Sequence, residues 1–184
     1  LGDVYKRQMI LQKETLEISI DRKAITNLKN ISFIFEKESV SASRIQFSIH
    51  ENSAIYGFGE RFDSVNQYGK TVALWQRDAC EGCLASIGNQ AYKNIPLVHT
   101  SDGFSFFANT SYRMRMDVGD AVQDYLSVEA LGDVFDFYIW SGTPREAMTA
   151  YGTLTGLPIF PPEWVFEPWA GGGGGRWRNG PLQD

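Results

Sequence analysis

The sequence predicts a mostly β protein, an antiparallel β-sandwich with one connecting helix. Three observations carry that reading. Several short segments alternate apolar and polar residues with period two, turn-formers such as Tyr68-Gly69-Lys70 and Ser101-Asp102-Gly103 punctuate them, and a single stretch has helix caps.

Successive side chains of a strand point to opposite faces, so strict alternation marks a half-buried strand. In order, candidates are Leu16–Ile20, residues 31–36 and the phrase RIQFSIH, where Ile45, Phe47 and Ile49 oppose Gln46, Ser48 and His50. Residues 71–76 and 104–109 follow. In YRMRMDV, Tyr112, Met114, Met116 and Val118 oppose Arg113, Arg115 and Asp117; residues 123–129 and 134–140 complete the set. The helix lies in TPREAMTAYGTLTG. Thr143 suits the N-cap, Pro144 the first helical position, and Glu146 completes a capping box. Ala147, Tyr151 and Leu154 form a stripe to bury, and Gly156 with Pro158 and Pro161-Pro162 stops the helix. After the prolines, EWVFEPWA reads as a new buried strand, which puts a domain boundary at residues 157–162.

A chain of 184 residues with 43% hydrophobic and 21% charged residues has room for one sizeable core. The net charge of −5 argues against a nucleic-acid or anionic-membrane surface, and no apolar run reaches bilayer length. Aromatics, at 14%, are the inflated class; they serve either a sandwich core or flat ligand-binding surfaces. Residues 1–8 are set aside from fold reasoning, because DVYKRQ resembles the translation of a transposon end used in preparing DNA libraries.

Generic catalytic motifs find little support. Cys80 and Cys83 form a C-x-x-C without a second ligand pair, so two metal-free loop thiols in a reducing, cytoplasmic setting are expected. Gly57 and Gly59 in YGFGERF precede no helix, so they suit close strand packing or a bulge better than a phosphate loop. Glycines 171–175 lack the Gly-Lys-Ser/Thr ending of a phosphate-binding loop. With two histidines and no Gly-x-Ser-x-Gly elbow, a serine triad is unsupported.

Four phrases in register go further: YGFGERFDSVNQYGKTVALWQRDA, NQAYKNIPLVHTSDGFSFFANTS, TPREAMTAYGTLTGLP and PPEWVFEPW. Over residues 54–169 they resemble glycoside hydrolase family 31, which includes α-glucosidases and α-xylosidases, and are most similar to its bacterial α-xylosidase-type members. The resemblance implies a galactose-mutarotase-like sandwich over residues 9–142, a connecting helix and proline hinge over 143–162, and the start of a truncated catalytic (β/α)8 barrel over 163–184. VFEPW then corresponds to the first barrel strand and the glycine run to the loop leaving it, on the face where barrel active sites gather. Retaining glycosidases of this kind use two carboxyls about 5–5.5 Å apart. The resemblance puts both aspartates downstream of Asp184, so this chain alone should be inactive.

Three substrate-binding residues follow from the same resemblance. Asp78, paired with Arg77 on a sandwich loop reaching over the barrel mouth, is implied to accept hydrogen bonds from hydroxyls of the leaving-group sugar. The bland alternative is a surface ion pair of at most ~1 kcal/mol. Trp177 is the aromatic implied beside the substrate. Expected partners are a glycoside or oligosaccharide, the barrel domain and, for the full-length enzyme, a second copy; no cofactor, metal, nucleic acid or membrane is expected. The rival class is a non-catalytic carbohydrate-binding sandwich, which would end in a linker instead of a hinge and fresh strand.

Overall fold

A computed structural model describes residues 6–11, 16–20, 23–36, 39–76, 91–133 and 136–169 of the chain. These form two antiparallel sheets and a helix. The strands are β1 Lys6–Leu11, β2 Leu16–Ile20, β3 Lys23–Glu36, β4 Ser39–Ser48, β5 Ile55–Gly59, β6 Lys70–Leu74, β7 Asn94–Thr100, β8 Phe104–Ala108, β9 Met114–Val118, β10 Tyr125–Leu131 and β11 Phe137–Ser141. The first sheet runs β1-β3-β4-β10-β9-β6, with β2 beside β1 along the same edge of β3; the second runs β11-β8-β7-β5. Strand β1 begins inside the segment set aside on sequence grounds, pairing Lys6 with Glu36 and Leu11 with Ile31.

The alternation read from the sequence builds the core. Ile45, Val128, Met116 and Val72 line up across four strands of the first sheet, with Phe47, Leu126 and Val118 in the neighbouring row. All are buried. They meet Ile55, Phe58, Val98, Phe104, Phe106 and Ala108 of the second sheet in one cluster. Phe47 is its hub, with ring centroids 5.1 Å from Phe106 and 6.0 Å from Phe137 in tilted and edge-on pairs. The outer face of the first sheet is polar. There Arg44 donates from Nε and Nη2 to Oε2 of Glu129 on the adjacent strand, at 3.1 and 2.5 Å.

The second sheet is covered on both faces where β8 and β11 run. Its outer face carries Phe107, Tyr138 and Trp140 as a triad of near-parallel rings, and α1 (Pro144–Thr155) packs against it with Tyr151 edge-on to Phe107 at 5.0 Å. The capping box forms as the sequence predicts: Thr143 accepts from the Glu146 N–H, and Glu146 accepts from the Thr143 N–H at 2.7 Å. Ala147 of the expected stripe is buried, Tyr151 is half-buried and Leu154 is exposed, because the sheet meets the helix along its Ala147 side. Likewise Tyr112, expected within β9, lies before it and is exposed, its ring beside Gly132.

The strand expected at EWVFEPWA needs correction. Glu163–Phe166 is a 3-10 turn, with Val165 N–H donating to Pro162 O and Glu167 N–H to Trp164 O. A strand needs a neighbour to satisfy its backbone groups, and none of the described strands lies alongside, so the bonds close locally. Trp164, Phe166 and Trp169 are exposed instead of buried.

Candidate functional site

The phrase YGFGER builds the best-defined polar site. Gly57, Phe58 and Gly59 all have positive φ, at 114°, 68° and 82°. For a bulky residue such as phenylalanine that is an outlier conformation. It occurs within β5 at a register shift against β7, a bulge at Gly57–Gly59. The bulge drives Phe58 into the core, where it is fully buried, and brings the chain very close to β7: a Cβ on Gly59 would lie 2.1 Å from the Lys93 carbonyl oxygen. The Glu60 N–H then donates to that carbonyl at 2.8 Å.

Arg61 follows and is half-buried. Its Nη2 donates to the Ala73 carbonyl at 3.2 Å and to Asn94 Oδ1 at 2.5 Å, while Asn94 Nδ2 donates to the Ala91 carbonyl at 3.2 Å. Burial lowers the Arg61 pKa, and the charge of Asp63 raises it only in part. Asp63 accepts from Lys70 Nζ at 2.7 Å, Gln67 Nε2 at 3.1 Å and the Ser64 N–H at 2.8 Å. Burial pushes its carboxyl up, but these hydrogen bonds and the Lys70 charge outweigh that and hold it at about 2. Exposed Phe62, Trp75 and Tyr92 lie in the flanking stretches of chain. The arrangement ties the end of β6 to the start of β7, the two points that bracket residues 77–90. It is a structural brace with aromatic surroundings; no nucleophile–base pair is present in it.

Arg77, Asp78 and Trp177 lie outside the described residues, as do Cys80 and Cys83. Arg61 was not singled out from the sequence; the signal available was a charged residue directly after a glycine-flanked strand. The structure also brings together Ser53, His50 and Asp102, a serine, histidine and carboxylate. Ser53 Oγ lies 2.7 Å from Asp102 Oδ1, and His50 Nδ1 lies 3.0 Å from the same atom. Both side chains address the carboxylate, and the serine has no hydrogen bond to the imidazole ring, so the cluster cannot activate a nucleophile. It stitches the turns at residues 50–54 and 100–103.

Residues 3–117 match the family model described as the glycosyl hydrolase 31 N-terminal galactose mutarotase-like domain. The chain belongs to glycoside hydrolase family 31. Its relatives include proteins named α-xylosidase and α-glucosidase: it is 34% identical over 131 residues to α-xylosidase XylQ of Lactiplantibacillus pentosus, covering 71% of this chain and 16% of that protein. It is 25% identical over 168 residues to α-glucosidase 2 of Bacillus thermoamyloliquefaciens, covering 87% and 21%. Among solved structures, the sandwich superimposes on lmo2446 of Listeria monocytogenes with a TM-score of 0.71 at 21% identity, covering 79% of this chain and 15% of that one. The cycloalternan-degrading enzyme of Trueperella pyogenes in complex with isomaltose gives 0.69 at 21%, covering 82% and 22%. This family 31 chain thus spans about a sixth to a fifth of the length of the curated relatives it matches.

Proposed function

We propose that this chain is the sandwich portion of a retaining α-glycosidase of α-xylosidase or α-glucosidase type, which hydrolyses O-glycosidic bonds of a saccharide substrate. The observation that carries this reading is the family 31 match over residues 3–117, joined to the α-xylosidase and α-glucosidase names of the relatives. In this reading the sandwich does no bond cleavage. The two carboxyls belong to a barrel beyond this sequence, and the exposed Leu157, Ile159, Phe160, Trp164, Phe166 and Trp169 are the apolar surface it covers. The sandwich contributes substrate contacts: Asp78 accepts from two hydroxyls of the leaving-group sugar and Arg77 keeps that carboxylate ionised and oriented, while Trp177, in the loop after the first barrel strand, offers a flat apolar face.

The test compares leaving groups in the full-length protein. Asp78→Ala is expected to lower kcat/KM for a disaccharide roughly tenfold or more beyond its effect on an aryl glycoside, whose leaving group lacks those hydroxyls, since each lost charge-assisted bond is worth ~1.5–3 kcal/mol. Equal losses on both substrates would remove Asp78 from the site. Purified residues 1–184 are expected to show no turnover of aryl α-glucosides or α-xylosides; enzyme-dependent turnover would place the catalytic carboxyls within this chain.

A further inference from the structure

A guanidinium carries five N–H donors, and where it is buried it is normally ringed by acceptors. Arg61 departs from this. Only Nη2 is engaged, whereas Nε and Nη1 lie out of solvent with no hydrogen-bond partner. Leaving buried charged donors unmatched is costly, and an apolar side chain of similar size would fill the space at lower cost. What an apolar side chain could not do is bond at once to Ala73 and Asn94. Ala73 belongs to β6 on the edge of the first sheet, and Asn94 opens β7 in the second. The bond therefore crosses the sandwich at the two places where the chain enters and leaves residues 77–90.

The GFGER phrase supplies the geometry for this. The bulge turns Phe58 inward and sets the backbone of Glu60 on Lys93. Arg61 then departs from a point already fixed to β7, while Asn94, held by its own bond to Ala91, presents its carbonyl oxygen to the guanidinium. Each partner is anchored before the contact is made, so little freedom is left for the two ends to drift apart.

We propose that Arg61 is a positioning residue: by fixing the spacing between the end of β6 and the start of β7, it sets the base from which Arg77 and Asp78 are presented. Only the last step rests on the proposed role of Asp78; the brace itself is independent of it.

Hydrogen–deuterium exchange on residues 1–184 tests the brace. In Arg61→Met, amides of residues 73–76 and 91–95 are expected to exchange at least roughly tenfold faster, with β4 and β10 unchanged. Unchanged exchange at the two ends, or acceleration spread evenly over both sheets, overturns the proposal. If Arg61→Met does not fold, Arg61→Lys carries the same test, because the lysine ammonium ends one bond short of the Nη2 position and cannot span Ala73 and Asn94 from the same backbone point; the same two outcomes decide it. In the full-length protein, Arg61→Lys is expected to shift the disaccharide-to-aryl ratio of kcat/KM in the same direction as Asp78→Ala. If Asp78→Ala moves that ratio and Arg61→Lys leaves it alone, the positioning role is wrong. If Asp78→Ala itself leaves it alone, the leaving-group assignment fails and the brace is judged on exchange.

Discussion

Replacing Gly57 by alanine should be among the most damaging small substitutions in this sandwich. Its φ of 114° lies well beyond the left-handed well that other residues visit, a conformational cost of ~1–3 kcal/mol. Steric conflict adds to it. A Cβ there would lie 2.2 Å from the Leu97 carbonyl oxygen, about 1 Å inside the ~3.3 Å at which carbon normally meets such an oxygen. The β5–β7 pair would have to part by that amount, weakening ladder bonds worth ~1 kcal/mol each. Together these give ~3–5 kcal/mol. Gly69→Ala is the control: φ is also positive, at 77°, but nothing lies within 4 Å of the new methyl, so only ~1 kcal/mol is expected. At roughly 2–4 °C per kcal/mol for a chain of this size, the two should separate by some 5–15 °C in Tm, read by circular dichroism on purified residues 1–184. Equal shifts for the two variants would refute the claim that close approach of the strands, and not the dihedral alone, requires glycine at position 57.

Other predictions follow from particular contacts. His99 is buried beside Ser105 and its pKa is lowered by burial, so the folded state resists protonation; stability should fall as pH drops below ~6.5, and His99→Gln should flatten that limb of a pH–urea series. Asp63, held at about 2 against an ordinary 3.8, contributes stability above pH ~4 that is lost as pH falls through about 2; Asp63→Asn should remove that part of the acid limb, with an effect within the ~1 kcal/mol typical of a solvent-facing pair. Tyr151→Ala should loosen α1 selectively, raising amide exchange in residues 144–155 while β4 and β10 keep their protection, because Tyr151 supplies the ring seated on Phe107.

What could be read from the sequence follows from where one face of a strand meets water. Strands β4, β9 and β10 belong to the first sheet, polar outside, and their period-two pattern is plain. Strand β7 hid because Leu97, Val98, His99 and Thr100 are all buried, so alternation vanishes over its second half; β8 is buried throughout as well, but the turn at residues 101–103 bounded it. Strand β5 hid for another reason, since three consecutive positive φ values interrupt any period. Glycines there were read as permitting close packing or a bulge, and the structure shows both. The brace was invisible because its parts, Arg61, Ala73 and Asn94, are far apart in sequence and ordinary one by one. Family membership was legible in four phrases; the sugar-contacting role of Asp78 rests on them alone.

The aromatic triad on β8 and β11 has a consequence for direction. Helix α1 is seated there through Tyr151, and the chain leaves the sandwich from the end of that helix at Gly156. The heading of the chain where it leaves α1 at Gly156 is therefore inherited from how four rings pack on the back of the second sheet. A substitution at Phe107 or Tyr138 would act like a bent axle, re-aiming the exit while leaving the packing between the two sheets untouched.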